Sequence, residues 1–340
     1  MTRSTTGPAP ADPSRRAALL AMKLKALVRD HLGHDLPAPP AEPANSFGRG
    51  AALTADGTAW VLLDEQPERS LGAALAWASR QPALTDVAII AESATGVLAR
   101  RAALFGTPIT VWVAVERLLV PAVTDPYPAR AEVDPRHEVW RTVITEAGAE
   151  PAQEHGVLAG EIRGLEICRV VTDAYTDETR LEVGVGAHDR ESFMMLHGNR
   201  PTAEALAGVV DAVVGHRRVD APLHPLNRLG AERFLRWQVI QAPERVGAAW
   251  LRVADPPVPR PNLKDPVPCV AVGESASGEP MVVVCSVGID LDLVPFAVDA
   301  RQMHAPDALL VLVVPERDAS PVTRRLMAMV ARPVGLVVWA

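Results

Sequence analysis

Lysine is nearly missing from this chain. It occurs at Lys23, Lys25 and Lys264 of 340 residues, and arginine supplies the rest of the 34 basic side chains. Together with heavy use of Ala, Pro and Val, this is the codon signature of a GC-rich bacterium and not of an arginine-based mechanism. Acids outnumber bases, 41 to 34, for a net charge of −7, so a broad surface that grips nucleic-acid phosphates is disfavoured. Cysteine is scarce too: Cys168, Cys269 and Cys285 form no CxxC pair, and an odd number does not suggest a disulfide framework. Reduced thiols are expected. No apolar run reaches the roughly 18 to 20 residues that cross a bilayer, and the polar N-terminus has no leader pattern, so no membrane partner and a cytoplasmic location are expected. There is no GxGxxG after a strand, no GxxxxGK[ST], no GxSxG, no HExxH and no spaced Cys/His set. Common nucleotide, hydrolase and zinc chemistries therefore lack a motif. No resident metal or cofactor is evident.

What the sequence does contain is a repeated pattern. AWVLLDE from Ala59 is followed by an Ala/Leu-rich run, DVAIIAE, LARRAALF and TPITVWVA; from Pro280 the order returns as PMVVVCS, DLVPFAVDAR, ALLVLVVPE, VTRRLMAMV and RPVGLVVWA. Glu92 and Glu316 close the second strand of each copy, Arg100-Arg101 and Arg324-Arg325 sit in the following helix, and Pro108 and Pro333 open the last strand. Such matched punctuation points to a duplicated supersecondary unit.

The expected fold is α/β, with two similar ββαβαβ repeats flanking a central α+β region. Residues 1–13 form a polar, Pro-rich tail expected to be disordered; 14–122 hold an N-terminal helix and the first repeat, 131–253 the central region, and 260–340 the second repeat. Ser14 is the expected cap of a helix that ends at Gly33, with Leu20, Leu24, Leu27 and Val28 on one face. Its basic residues suit either a solvated face or contact with an anionic surface, and the solvated face is the commoner outcome. Asp56-Gly57 supplies a two-residue hairpin turn that sets Leu53 opposite Trp60. A longer second hairpin centred on Ser277 sets Cys269 opposite Cys285. In the centre, HEVWRTVITEAG and PTAEALAGVVDAVVGHRR have helical spacing, and HGVLAGEIRGLEICRVV and TRLEVGVGAHDRE have strand spacing.

Ligands of open α/β sheets bind outside the carboxyl ends of the strands. Those ends carry Asp64, Glu65, Glu92 and Ser93 in one copy and Cys285, Ser286, Asp290, Glu316 and Asp318 in the other. Paired carboxylates there could hold Mg²⁺, although capping of the next helix is the commoner role. The central region has the densest polar cluster, Glu161, Glu166, Glu182, His188, Asp189, Glu191 and His197. Glu166, Glu182 and Asp189 are its catalytic candidates. Asn227 and Arg228, just before a helix, are candidates for binding a carboxylate or phosphate. With His224, Glu232 and Arg236 they more commonly form an Arg/Glu network that ties the central region to the repeats.

The order helix, hairpin, strand-to-helix, strand, helix, strand resembles the core of the PD-(D/E)xK restriction-endonuclease-like family. The resemblance implies an Asp on the second strand and a Glu-x-Lys on the third, which hold Mg²⁺ and activate water. Here the third-strand positions read Leu62-Leu63-Asp64 and Val284-Cys285-Ser286, and the preceding strands, AALT and CVAV, lack the Asp. In the centre, Glu166 and Glu182 could mimic the two acids, but Gly184 stands where the Lys belongs. Two readings follow: a degenerate, non-catalytic nuclease-like protein that binds a protein or small-ligand partner, or a Mg²⁺-dependent nuclease or phosphate-processing hydrolase that uses the central acids.

Overall fold

The computed structural model describes residues 13–36, 47–81, 85–186, 189–191, 202–221, 224–259 and 267–340. The tail before Pro13, most of the first proline-rich joint, and His188 and His197 lie outside them. No helix among the described residues is long and apolar enough to cross a membrane. The chain divides into two compact units, Met1–Pro126 with Pro321–Arg332, and Tyr127–Ser320 with Pro333–Ala340.

The first described element of this unit is α1 (Pro13–Leu32), in which the expected cap Ser14 is already helical. The helix stops where Gly33 turns left-handed (φ 75°) and its N–H closes on Arg29 O. Leu24, Leu27 and Val28 are buried, at the 3.6-residue period of one helix face. The strands β1 (Gly50–Ala55) and β2 (Thr58–Leu63) follow as a hairpin, with Asp56 and Gly57 both at positive φ and Leu53 opposite Trp60. Next come α2 (Leu71–Ala78), β3 (Asp86–Ala91), α3 (Thr95–Ala102), β4 (Ile109–Val115) and β5 (Leu118–Pro121). The sheet order is β1-β2-β3-β4-β5, with β2, β3 and β4 parallel and both edges antiparallel to their neighbours. The strand β5 was not anticipated. It forms because Glu116 accepts a left-handed turn (φ 54°), and its Pro121 is tolerated at a sheet edge. On one face, α1 packs over Trp60, Leu62, Ala88 and Ile90.

The second unit holds two sheets. Its first part is α4 (Trp140–Glu146), then β6 (Glu150–Glu154), β7 (Val157–Ile162), β8 (Leu165–Thr172) and β9 (Thr179–Val183), an antiparallel meander, then α5 (Thr202–Val214). Its core is Ile144, Leu158, Ile167, Val170 and Leu206. The short α6 (Pro225–Arg228) leads to α7 (Ala231–Gln241) and to β10 (Ala248–Ala254). Then come β11 (Cys269–Ser275), β12 (Pro280–Cys285), α8 (Leu293–His304), β13 (Leu309–Pro315), α9 (Pro321–Ala328) and β14 (Gly335–Trp339). This second sheet runs β10-β11-β12-β13-β14, with β12, β13 and β14 parallel. Cys269 lies opposite Cys285, and Glu274 opposite Pro280, so the hairpin is centred on Ser277 as its sequence suggests. The α/β class holds. The series β1-β2-α2-β3-α3-β4 and β11-β12-α8-β13-α9-β14 share strand order and sense. The strand β10, which begins inside the span 131–253 and ends at Ala254, pairs with β11 beyond it.

The helix α9 belongs to the first unit, where it packs on α2. The residues just after α3 and α9 bond reciprocally: Gly106 N–H donates to Met329 O, and Ala331 N–H to Leu104 O, with Phe105 bridged to Val330. The contact is antiparallel: 104 meets 331, 105 meets 330 and 106 meets 329.

Candidate functional site: a cleft in the second unit

The central acids are held by arginines. Glu166, almost fully buried, takes Arg169 on both oxygens at 2.9 and 3.0 Å and Arg190 on Oε1 at 3.0 Å. Glu182 takes Arg180 at 3.0 Å and lies 3.7 Å from the Nε of Arg190. The structure thus brings Glu166 and Glu182 together, but around a shared guanidinium. Asp189 is exposed and makes no hydrogen bond or ion pair among the described residues. Among those residues, no group of three or more His, Cys, Asp or Glu is arranged to hold a metal ion.

The network continues through α7. Arg233 and Arg236, three residues apart and so on one helix face, reach back to the meander: Arg233 donates to Glu161 at 2.7 Å and to Glu154 at 2.9 Å, and Arg236 to Glu154 at 3.4 Å and to Val270 O on β11 at 3.5 Å. These buried ion pairs tie the meander to the second sheet, the structural alternative raised for the segment around Arg236. Asn227 and Arg228 lie in α6, and their side chains lie outside the described residues. The turn that carries them is pinned by Arg217. Fully buried and stacked on Phe234, it donates to the carbonyls of Arg163, Leu226, Leu229 and Gly230. Burial, which penalises its charge, lowers the Arg217 pKa to about 10.

The carboxyl ends of the strands have other roles. In the first unit Ser70 and Ala94, not acids, occupy the cap positions of α2 and α3. Capping is therefore corrected for Asp64, Glu65 and Glu92. Cations on α1 take them up instead, Arg16 pairing with Asp64 and Glu65 and Lys23 with Glu92. In the second unit Asp318 accepts Gly288 N–H at 2.7 Å and Asp290 accepts Asp292 N–H at 2.9 Å. Arg100 and Arg101 are buried and donate to the carbonyls of Asp125, Pro126 and Glu68, whereas Arg324 and Arg325 are exposed.

A cleft of about 380 Å³ opens in the second unit between β6, the end of β10, β11, the last turn of α8 and the extended segment from Tyr127. Its position follows from the network above, since Arg233 and Arg236 fix Glu154, the neighbour of Gln153 in the cleft wall. A second tie holds the rim: His155 N–H donates to Asp255 Oδ1 at 2.8 Å. His304, the last residue of α8, bonds through Nε2 to Asp255 O at 2.7 Å, which requires the proton on Nε2. Tyr127 donates its hydroxyl to Asp299 Oδ1 at 2.8 Å. Those wall groups already have partners. Arg130 and Arg252 also line the cleft, both exposed, and neither makes a hydrogen bond or ion pair among the described residues. Val253, Ala254, Val272 and Met303 supply apolar wall.

None of the cleft's polar residues is marked by a motif. Arg252 stands in AAWLRVAD, whose alternation is broken by a bulge between Ala248 and Trp250, so the strand β10 goes unread. The one signal that could have found it is this apolar run, stopped by Asp255 and two prolines. Arg130 sits in a segment with no regular structure, and Gln153 on a strand, EPAQE, with no apolar period. Neither a family model, nor a curated protein, nor a solved structure matches this chain.

Proposed function

We propose that this chain is a non-catalytic binding protein and that the cleft beside Arg130 and Arg252 receives a small ligand. The observation that carries this reading is a contrast in how charges are satisfied: Glu166 and Glu182 are paired with guanidinium groups, while the cleft arginines have no hydrogen-bond or ion-pair partner among the described residues. A carboxylate whose lone pairs are taken by guanidinium groups is poorly placed to bind Mg²⁺. The cleft falls in the usual ~300–1,000 Å³ range of small-molecule sites and mixes apolar wall with a few polar groups. The absence of Glu-x-Lys in either nuclease-like segment supports the same choice of binding over hydrolysis.

Two experiments test it. A fragment screen by protein-observed NMR should give ligands that shift signals of Val272 and Met303, and a filled cleft, Val272→Trp or, where that variant does not fold, Met303→Trp, should abolish them. No ligand sensitive to either variant would overturn the proposal. Separately, purified protein given Mg²⁺ or Mn²⁺ with linear, nicked, mismatched or single-stranded DNA should show no cleavage; cleavage lost on Glu182→Ala would instead establish the hydrolase reading, and loss on Asp64→Ala or Glu316→Ala would restore activity to the nuclease-like segments.

A further inference from the structure

Resting on the reading of the cleft as a ligand site, we infer that its ligand is a small organic anion, with a carboxylate or phosphate group at the arginines and an apolar body against Val272 and Met303. The lining is rich in donors and poor in free acceptors. Each guanidinium offers five N–H groups and no acceptor, and Arg130 and Arg252 stand on two separate elements, the segment after Tyr127 and the strand β10. The acid in the wall does not neutralise them. Asp255 lies farther than ion-pair distance from both, and it is already engaged by His155 N–H and, through its carbonyl, by His304. Tyr127 directs its hydroxyl to Asp299, so it adds no donor that would suit a neutral ligand better than a charged one. Two like charges that line one concavity and form no ion pair among the described residues repel each other, and an anion between them removes that repulsion. Planar guanidinium groups match carboxylate and phosphate oxygens in pairs, which a neutral amide or alcohol cannot reproduce. Val253, Ala254, Val272 and Met303 also line the cleft and have no polar side chain, so a bare inorganic ion would leave that apolar lining unfilled.

The test uses the full chain and three probes that share one body: phenyl phosphate, phenylacetate and phenylacetamide. Binding is followed by calorimetry and by NMR shifts at Val272 and Met303. The two anions are expected to bind in competition with each other and to weaken as salt is raised, with phenylacetamide weaker by about tenfold or more. Arg130→Gln and Arg252→Gln should each lower anion affinity about tenfold, and Arg141→Gln, whose residue does not line the cleft, should leave it unchanged. Whichever anion binds more tightly assigns phosphate or carboxylate as the head group. Equal binding of phenylacetamide and the anions, or full anion affinity in the double glutamine variant, would overturn the anionic assignment; if Val272→Trp still blocked those ligands, the cleft itself would stand. No shift at the cleft with any of the three probes would also overturn the assignment, and the cleft reading would fall with it only if the broader fragment screen were empty too.

Discussion

Replacing Arg233 by methionine tests how much of the second unit rests on its buried charges. The guanidinium is about 6% exposed and sits 2.7 Å from Glu161 and 2.9 Å from Glu154, whose side chains are about 7% and 15% exposed. Methionine fills a similar volume but leaves two carboxylates out of water with one cation, Arg236, at 3.4 and 3.8 Å. Stranding a buried charge costs about 3–5 kcal/mol, because the lost solvation is no longer offset by a partner. For a body of roughly 200 residues that is a fall of about 6–20 °C in the melting temperature. The double variant Arg233→Met/Glu161→Gln removes the stranded charge while Arg236 keeps Glu154, so it should recover at least about 1 kcal/mol. Arg141→Met is the control. Its ion pair with Glu138 is exposed at both ends, so its loss should cost no more than about 0.5 kcal/mol. Calorimetric melts supply the temperatures, and hydrogen exchange at β6 and β7 assigns the transition to this unit. The reasoning is refuted if Arg233→Met melts within about 2 °C of the parent, or if the double variant is no more stable than the single one.

Three further outcomes are expected. Arg180, joined by the amides of Tyr175 and Thr176, holds the Asp173 carboxyl down at about 2; the stability it contributes is present above the ordinary value near ~3.9 and is lost as pH falls towards the native one, so an NMR titration should find the low midpoint and Arg180→Gln should raise it. Burial pushes the Cys168 thiol up to about 12 and Cys285 higher still, and all three cysteines are buried thiols outside any disulfide, so a thiol reagent at pH 8 should label none in the native protein and three after unfolding. Gly164, at φ 77° in the turn between β7 and β8, would place an added Cβ about 2.5 Å from the Arg233 carbonyl, so Gly164→Ala should cost about 1–3 kcal/mol or more in a denaturant melt, and a neutral result would contradict the packing of α7 on that turn.

Elements whose geometry is local were legible in the sequence. Asp56-Gly57 fixed a register that set Leu53 against Trp60, Gly33 marked the end of α1, and apolar strands bounded by turn residues announced both parallel sheets. The missed strands, β5, β6 and β10, are sheet edges, where one side faces no neighbour and the apolar alternation that marks a strand is weak or interrupted. The candidate site was less legible for a related reason. Glu166 and Glu182 look alike in sequence whether they face a metal or a guanidinium, and Arg190, the residue that decides between them, stands 24 positions from Glu166. Arg130, Gln153, Arg252 and His304 converge only after the meander and the second sheet have docked, so no spacing along the chain could bring them together.

The exchange of hydrogen bonds between residues 104–106 and 329–331 sets a timetable for biosynthesis. The first unit starts to leave the ribosome before the second, yet its last helix, α9, is translated more than 200 codons after α3. At ~5–20 residues per second that interval lasts roughly 10 to 45 s. Throughout it α2, whose Leu71, Leu75 and Trp77 are buried in the finished protein, waits without one of its neighbours. The nascent chain therefore carries α2 without its α9 contact throughout that interval, and a translation product released before Pro321 never gains it.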